Sequence, residues 1–152
     1  MNRPAWLGRR ECGGTLVEFA LVAPLLILLI MAALELSIMY WVNLTLQHAV
    51  REGARYAVTG QGGALREQLA VQRIVEQSMG LYPRVRPVLS INRADVPADP
   101  AQIAPGSLGA GGALLVLQVD GAWPVASPLL QPWLGSVYRF RVAATMRNEA
   151  FE

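Results

Sequence analysis

Sixteen consecutive residues, 19–34, carry no polar side chain, and this run limits the folds open to the chain more than any other feature. Extended through 15–17 on one side and 36–41 on the other, it is long enough to cross a bilayer as a helix, which takes roughly 20 mostly apolar residues at 1.5 Å each. One acid, Glu18, stands at the start of the run with no basic residue within a helical turn. A lone carboxylate in hydrocarbon costs about 2.5–3.5 kcal/mol on insertion scales, so Glu18 calls for a partner that the adjacent sequence does not supply. The best candidate is an amine created by cutting the chain. The plain alternative is a solvated place at the level of the lipid headgroups.

The net charge of +2 is accounted for by Arg3, Arg9 and Arg10 less Glu11; from Gly14 onward ten arginines balance ten acids. No basic face is left for nucleic acid, whose binding rests on clustered cations. The three arginines precede the apolar run, and by the positive-inside bias this puts the N-terminus in the cytoplasm and everything after Trp41 outside. Cys12 is the sole cysteine, so the external part folds without an internal disulfide. Arg9-Arg10-Glu11 is a poor lead-in for lipid attachment at Cys12. An ordinary secretory signal would be cut after its apolar region, here near Ala32-Ala33, and would lose it.

A cut after Gly13 keeps the apolar run attached and makes Gly14 the first residue, Thr15 the second, Glu18 the fifth and Phe19 the sixth. This resembles the processing site of type IV pilin-like subunits. The continuation Val17-Glu18-Phe19-Ala20-Leu21-Val22-Ala23-Pro24-Leu25-Leu26 resembles, more specifically, the TadE-like minor pilins (pseudopilins) of tight-adherence, or Flp-type, pilus systems. Ala49-Val50-Arg51-Glu52-Gly53-Ala54-Arg55 is similar to that family's Ala-x-x-x-Gly-Ala-Arg motif, and Met146-Arg147-Asn148-Glu149-Ala150-Phe151 to its closing Arg-Asn-Glu segment. The resemblance implies cleavage between Gly13 and Gly14 by a prepilin peptidase, and pairing of Glu18, beside Phe19, with the freed amine. It further implies packing of the membrane helix through Leu21, Pro24 and Leu25, and a junction between helix and domain at Arg51, Glu52, Gly53 and Arg55. The implied partners are the peptidase, a major Flp-type pilin, other minor pilins and an inner-membrane assembly platform, acting in pilus assembly and adhesion.

The organisation expected is a leader over 1–13, a transmembrane helix over 14–42, its extracytoplasmic continuation over 43–60, and a small α+β extracytoplasmic domain over 61–152. The helix is predicted over 15–58, kinked at Pro24. Beyond Trp41, Leu46, Ala49, Val50, Gly53, Ala54, Ala57 and Val58 recur at three- and four-residue spacing, a stripe that wants something packed on it. Gly60, Gly62 and Gly63 end the helix. A second helix is predicted over 64–79, with Leu65, Leu69, Val71, Ile74, Val75 and Met79 apolar. Val85, Leu89 and Ile91 alternate with polar residues, a strand marked as an edge by Pro87. Three prolines and four glycines predict a long flexible loop over 94–113. Strands follow over 114–123 and 137–147, joined by an irregular connection with Pro124, Pro128 and Pro132 that carries Trp123 and Trp133. The fold class is therefore α+β: a long N-terminal helix, a second helix, and an antiparallel sheet of about three strands packed on the long helix.

No constellation for catalysis is visible. His48 is the only histidine, far from Cys12 with Glu52 its nearest acid, so neither a metal site nor a hydrolytic triad can be assembled, and no cofactor is expected. Glu35, near the far end of the apolar run, is expected to be an interfacial acid reaching for water, with an inter-subunit contact as the alternative. Glu52 and Arg55 are expected to pair along the helix beside Arg51. The function expected is that of a non-enzymatic subunit in the bacterial inner membrane that enters an extracellular pilus. The alternative is an unprocessed single-span protein whose external domain binds envelope components.

Overall fold

A computed structural model describes residues 14–150. Residues 1–13, which hold the expected leader with Gly13 of the expected cleavage and Cys12, and residue Phe151 of the tail motif lie outside the described residues. Helix α1, Gly14–Val58, is continuous for 45 residues, about 68 Å at 1.5 Å each, and Pro24 sits inside it. Its first 18 residues bury no side chain. Its second half buries Val42, Leu46, Ala49, Val50, Gly53, Ala54, Ala57 and Val58, which contains the whole stripe read from the sequence.

A 3-10 turn, Gly63–Leu65, leads into α2, Arg66–Gln77. The second helix is thus shorter than 64–79. Met79 and Gly80 both have positive φ, so the chain has left the helix before Met79, whose side chain is 77% exposed rather than part of the apolar face. Ala70, Val71 and Ile74 face α1 and the core.

Four strands form one antiparallel sheet: β1, Val88–Ile91; β2, Ala94–Val96; β3, Leu114–Pro124; and β4, Val137–Arg147. Their order across the sheet is β2-β1-β3-β4. In β3 and β4 the side chains alternate between the two faces: Leu115, Leu117 and Val119 pack inward, paired with Met146, Ala144 and Val142. Gly121 pairs with Phe140, whose ring occupies the space a side chain at 121 would need. The helix α1 lies against this inner face over β4 and β3, with α2 beside it. A single core joins them through Leu46, Val50, Ile74, Leu89, Leu117 and Val119.

Two expectations for the middle of the chain are corrected. Residues 82–85 form a 3-10 turn, Tyr82–Val85, and the strand begins only at Val88, after Pro87. That strand is not an edge, because β1 lies between β2 and β3. The cause is a two-residue hairpin: Ile91 pairs with Ala94 across Asn92 and Arg93, both at positive φ (52° and 70°), the backbone of a type I′ turn. The segment 94–113 is accordingly a held connection rather than a flexible one. After β2 it forms a 3-10 turn, Pro100–Gln102, buries Ile103 and Leu108, and is bonded to α2 and to the tail. The fourth strand comes from this segment. A short helix, α3, Gln131–Leu134, interrupts the connection between β3 and β4.

Candidate membrane and assembly interface

From Gly14 to Met31, no residue of α1 is buried: 18 residues, about 27 Å of helix, close to the hydrocarbon thickness of a bilayer. Its large apolar side chains stand free, Phe19 at 71% exposure and Leu25 at 67%. A soluble monomer rarely exposes a patch of this extent, and the helix is compatible with membrane anchoring. Glu18, Leu21 and Leu25 fall at three- and four-residue steps and so share a face, with Phe19 and Pro24 beside it. All five are exposed. The Glu18 side chain has no hydrogen-bonding or ionic partner among the described residues, because nothing of the domain reaches that half of the helix.

Contact begins at Ala32, and Glu35 makes it specific. Far from reaching for water, Glu35 is only 5% exposed. Its carboxylate accepts from the backbone N–H of Ala126 at 2.9 Å and of Ser127 at 3.2 Å. Around it Met39, Val125 and Leu130 form a small second core, with Ala32, Trp123 and Tyr138 at its margin. Two backbone donors converging on one carboxylate satisfy it without a counter-charge, which corrects the expectation that Glu35 reaches for water. The sequence marked Glu35 as out of place, but its partners lie 91 and 92 residues away on an irregular segment.

Higher on the helix, Gly53 is where α1 and α2 come closest. A methyl there would overlap Ile74 Cγ1 and stand 2.8 Å from the Ala70 carbonyl oxygen. Of its neighbours in the sequence motif, Arg51 and Arg55 are exposed and Glu52 is half-buried. Glu52 and Arg55 line a shallow cleft with Tyr56, Arg73 and Gln77, but the ion pair on this side is Arg73 with Glu76, at 3.6 Å, and not Glu52 with Arg55. The Arg73 guanidinium also faces the Tyr56 ring at 5.9 Å. Gln47 donates to the Ala143 carbonyl at 2.9 Å and ties α1 to β4. His48 is exposed.

The upper end of the domain is closed by polar groups that sequence reasoning missed. Arg66 donates to the carbonyls of Ala57 (2.6 Å) and Gly109 (2.9 Å), and Glu67 accepts from Gly106 N (2.8 Å) and Leu108 N (3.4 Å). Burial pulls the Arg66 guanidinium below its usual pKa, opposed by the neighbouring Glu67. Asn148 donates to the carbonyls of Leu108, Gly109 and Ala110, and Glu149 N to Val58 O at 2.9 Å. The Arg-Asn-Glu tail thus clasps the glycine-rich turn to the end of α1. On the outer sheet face, an open groove of about 470 Å³ is lined by Arg86, Val88, Arg139 and the Asp120–Arg141 pair (2.6 Å), whose hydrogen bond holds the Asp120 carboxyl below the usual range.

The family model described as TadE-like protein matches residues 13–55. Neither a curated protein nor a solved structure matches the chain. The matched stretch holds Glu18, the bare apolar helix, Glu35 and the Gly53 crossing, and it ends before α2 and the sheet. Over residues 13–55, therefore, this chain is similar to the TadE-like family.

Proposed function

We propose that the chain is a minor pilin, or pseudopilin, of a tight-adherence (Flp-type) pilus, held in the bacterial inner membrane with its N-terminus cytoplasmic and its domain outside. In this reading 1–13 is a leader, 14–42 spans the membrane, 43–60 continues the helix outward and 61–152 is the external domain. A prepilin peptidase cuts between Gly13 and Gly14. The subunit then joins a major Flp-type pilin and other minor pilins on an inner-membrane platform, and the filament serves adhesion. The observation that carries the proposal is that the TadE-like match, residues 13–55, runs along nearly the whole of α1 and includes the apolar N-terminal stretch that its own domain does not bury. An apolar stretch left uncovered by its own chain fits subunits that associate through their helices.

Glu18 is the residue with a chemical role in this scheme. Cleavage creates an α-amine at Gly14, one helical turn before the carboxylate and equally available to a neighbouring subunit. A pair of this kind in hydrocarbon must first offset desolvation, so it sets register between subunits more than it adds stability. N-terminal sequencing of the membrane-extracted protein should give Gly14 as the first residue, and Glu18→Gln should abolish its incorporation into filaments. An intact Met1, together with normal filaments in the Glu18→Gln strain, would leave only an unprocessed single-span anchor.

A further inference from the structure

The two long strands run along α1 in a known sense. Leu114 pairs with Arg147 at one end of the β3–β4 ladder and Pro124 with Val137 at the other. Glu149 N bonds to Val58 O at the outer end of α1, while Glu35 holds Ala126 and Ser127. The connection over 125–136 is therefore the rim of the domain that faces the bare half of the helix. From Gly121 to Tyr138 there is no charged residue, and the stretch carries two tryptophans, Trp123 and Trp133. Val125 and Leu130 turn inward to Met39. Leu129, Trp133, Leu134 and Val137 turn outward, at 59%, 71%, 41% and 44% exposure. Tyr40 and Trp41, at 67% and 51%, stand out from α1 just above Glu35.

We propose that this rim rests in the outer interfacial layer of the bilayer that α1 crosses, with Leu129, Trp133 and Leu134 inserted among the lipids. The proposal rests on the membrane-anchored reading above and adds where the domain sits. Depth decides the occupant. The bare helix of 18 residues measures about 27 Å against a hydrocarbon core of about 30 Å, so Ala32 and Glu35 come at the boundary with the headgroups. A segment bonded to Glu35 lies at that same level. An uncharged loop with an exposed tryptophan suits the interface, where the indole ring is favoured, and does not suit open water. The Glu35 latch then has a purpose: the rim supplies the acid with backbone donors at the depth where bulk water gives out. The helix and the rim together give the domain two footholds, and so one orientation toward neighbouring subunits.

The test uses the full chain carrying Cys12→Ser and one added cysteine at a time, spin-labelled and reconstituted in phosphatidylcholine–phosphatidylglycerol vesicles. Collision with dissolved oxygen reports lipid, and collision with a water-soluble nickel chelate reports the aqueous phase. Labels at Leu129→Cys and Leu134→Cys should resemble one at Leu25→Cys in the span, with an oxygen-to-nickel ratio several-fold above that of Leu114→Cys at the far end of the sheet. Aqueous values at 129 and 134 with a lipid value at 25 overturn the docking and leave the anchor standing. An aqueous value at 25 overturns the anchor itself. Labels at 129 and 134 shielded from both reagents mean that a second copy covers the rim, which also overturns lipid docking.

Discussion

Replacing Glu35 by glutamine isolates the latch between helix and rim. The carboxylate accepts two backbone N–H groups, at 2.9 and 3.2 Å, from a site only 5% exposed. Bonds to a charged acceptor contribute about 1.5–3 kcal/mol each, against about 1 kcal/mol for a neutral pair. In Glu35→Gln the side-chain oxygen can serve Ala126 or Ser127, and the amide NH2 then confronts the other donor. The loss comes to about 2–3 kcal/mol, which at 1.4 kcal/mol per decade means roughly 30–100-fold more frequent opening of the rim. Amide hydrogen exchange on the full chain in detergent micelles reads this directly. The amides of Ala126 and Ser127 should exchange faster by that factor, while those of Leu117 and Val119 in the central strand β3 keep their rates. Glu18→Gln, on the bare half of the helix, should change neither set. Exchange at Ala126 and Ser127 within twofold of the parent would refute the latch.

Three further outcomes follow from the packing. Gly53→Ala gains about 1 kcal/mol of helix propensity but forces a methyl onto Ile74 and the Ala70 carbonyl, an overpacking of about 1–3 kcal/mol in which the backbone oxygen cannot turn aside. The urea midpoint should fall, and a midpoint that rises would show that α2 can move away. Asn148→Ala removes the amide that bridges three carbonyls of the 108–110 turn and leaves Leu108 O without its donor, at a cost of about 2 kcal/mol, so limited proteolysis should cut first within 104–113; unchanged cleavage there would argue against the clasp. Burial pushes the Tyr82 hydroxyl, which donates to Ala98 O, up to about 12. The unfolded chain ionises near its ordinary value of 10, so the folded state is at full stability below that pH and loses on the order of 1–2 kcal/mol as pH rises from about 10 to 12. Urea melts at pH 9 and 11.5 should show the loss in the parent and not in Tyr82→Phe. An equal loss in both would assign it to other groups.

Much of this fold could be read from spacing alone. The long helix, its buried stripe from Leu46 to Val58, and the inward faces of β3 and β4 follow from periods of 3.6 and 2 held over many residues, where one misplaced side chain does not alter the pattern. The hairpin at Asn92-Arg93 was hidden because arginine is an unusual residue for positive φ, and without the turn, β2 looks like the start of a loop. Pro87 suggested an edge because its ring removes a strand donor, yet the strand simply starts one residue later. The 94–113 segment has the composition of a flexible loop, but Arg66 and Glu67 at the start of α2 and Asn148 in the tail hold its backbone from two distant places.

The candidate interface divides in the same way. By itself the sequence determined that an apolar helix of bilayer length lies near the N-terminus and that Glu18 stands at its start with no basic residue within a turn. These are properties of consecutive residues, and nearest neighbours along a helix suffice to state them. Only the tertiary structure decided that Glu35 is a latch rather than a surface acid, that Gly53 is the crossing point of two helices, and that the uncharged connection around Trp133 lies at the foot of the domain. Each of those depends on which backbone groups arrive from up to 92 residues away, and a buried carboxylate and an exposed one share the same side chain until that arrival is known.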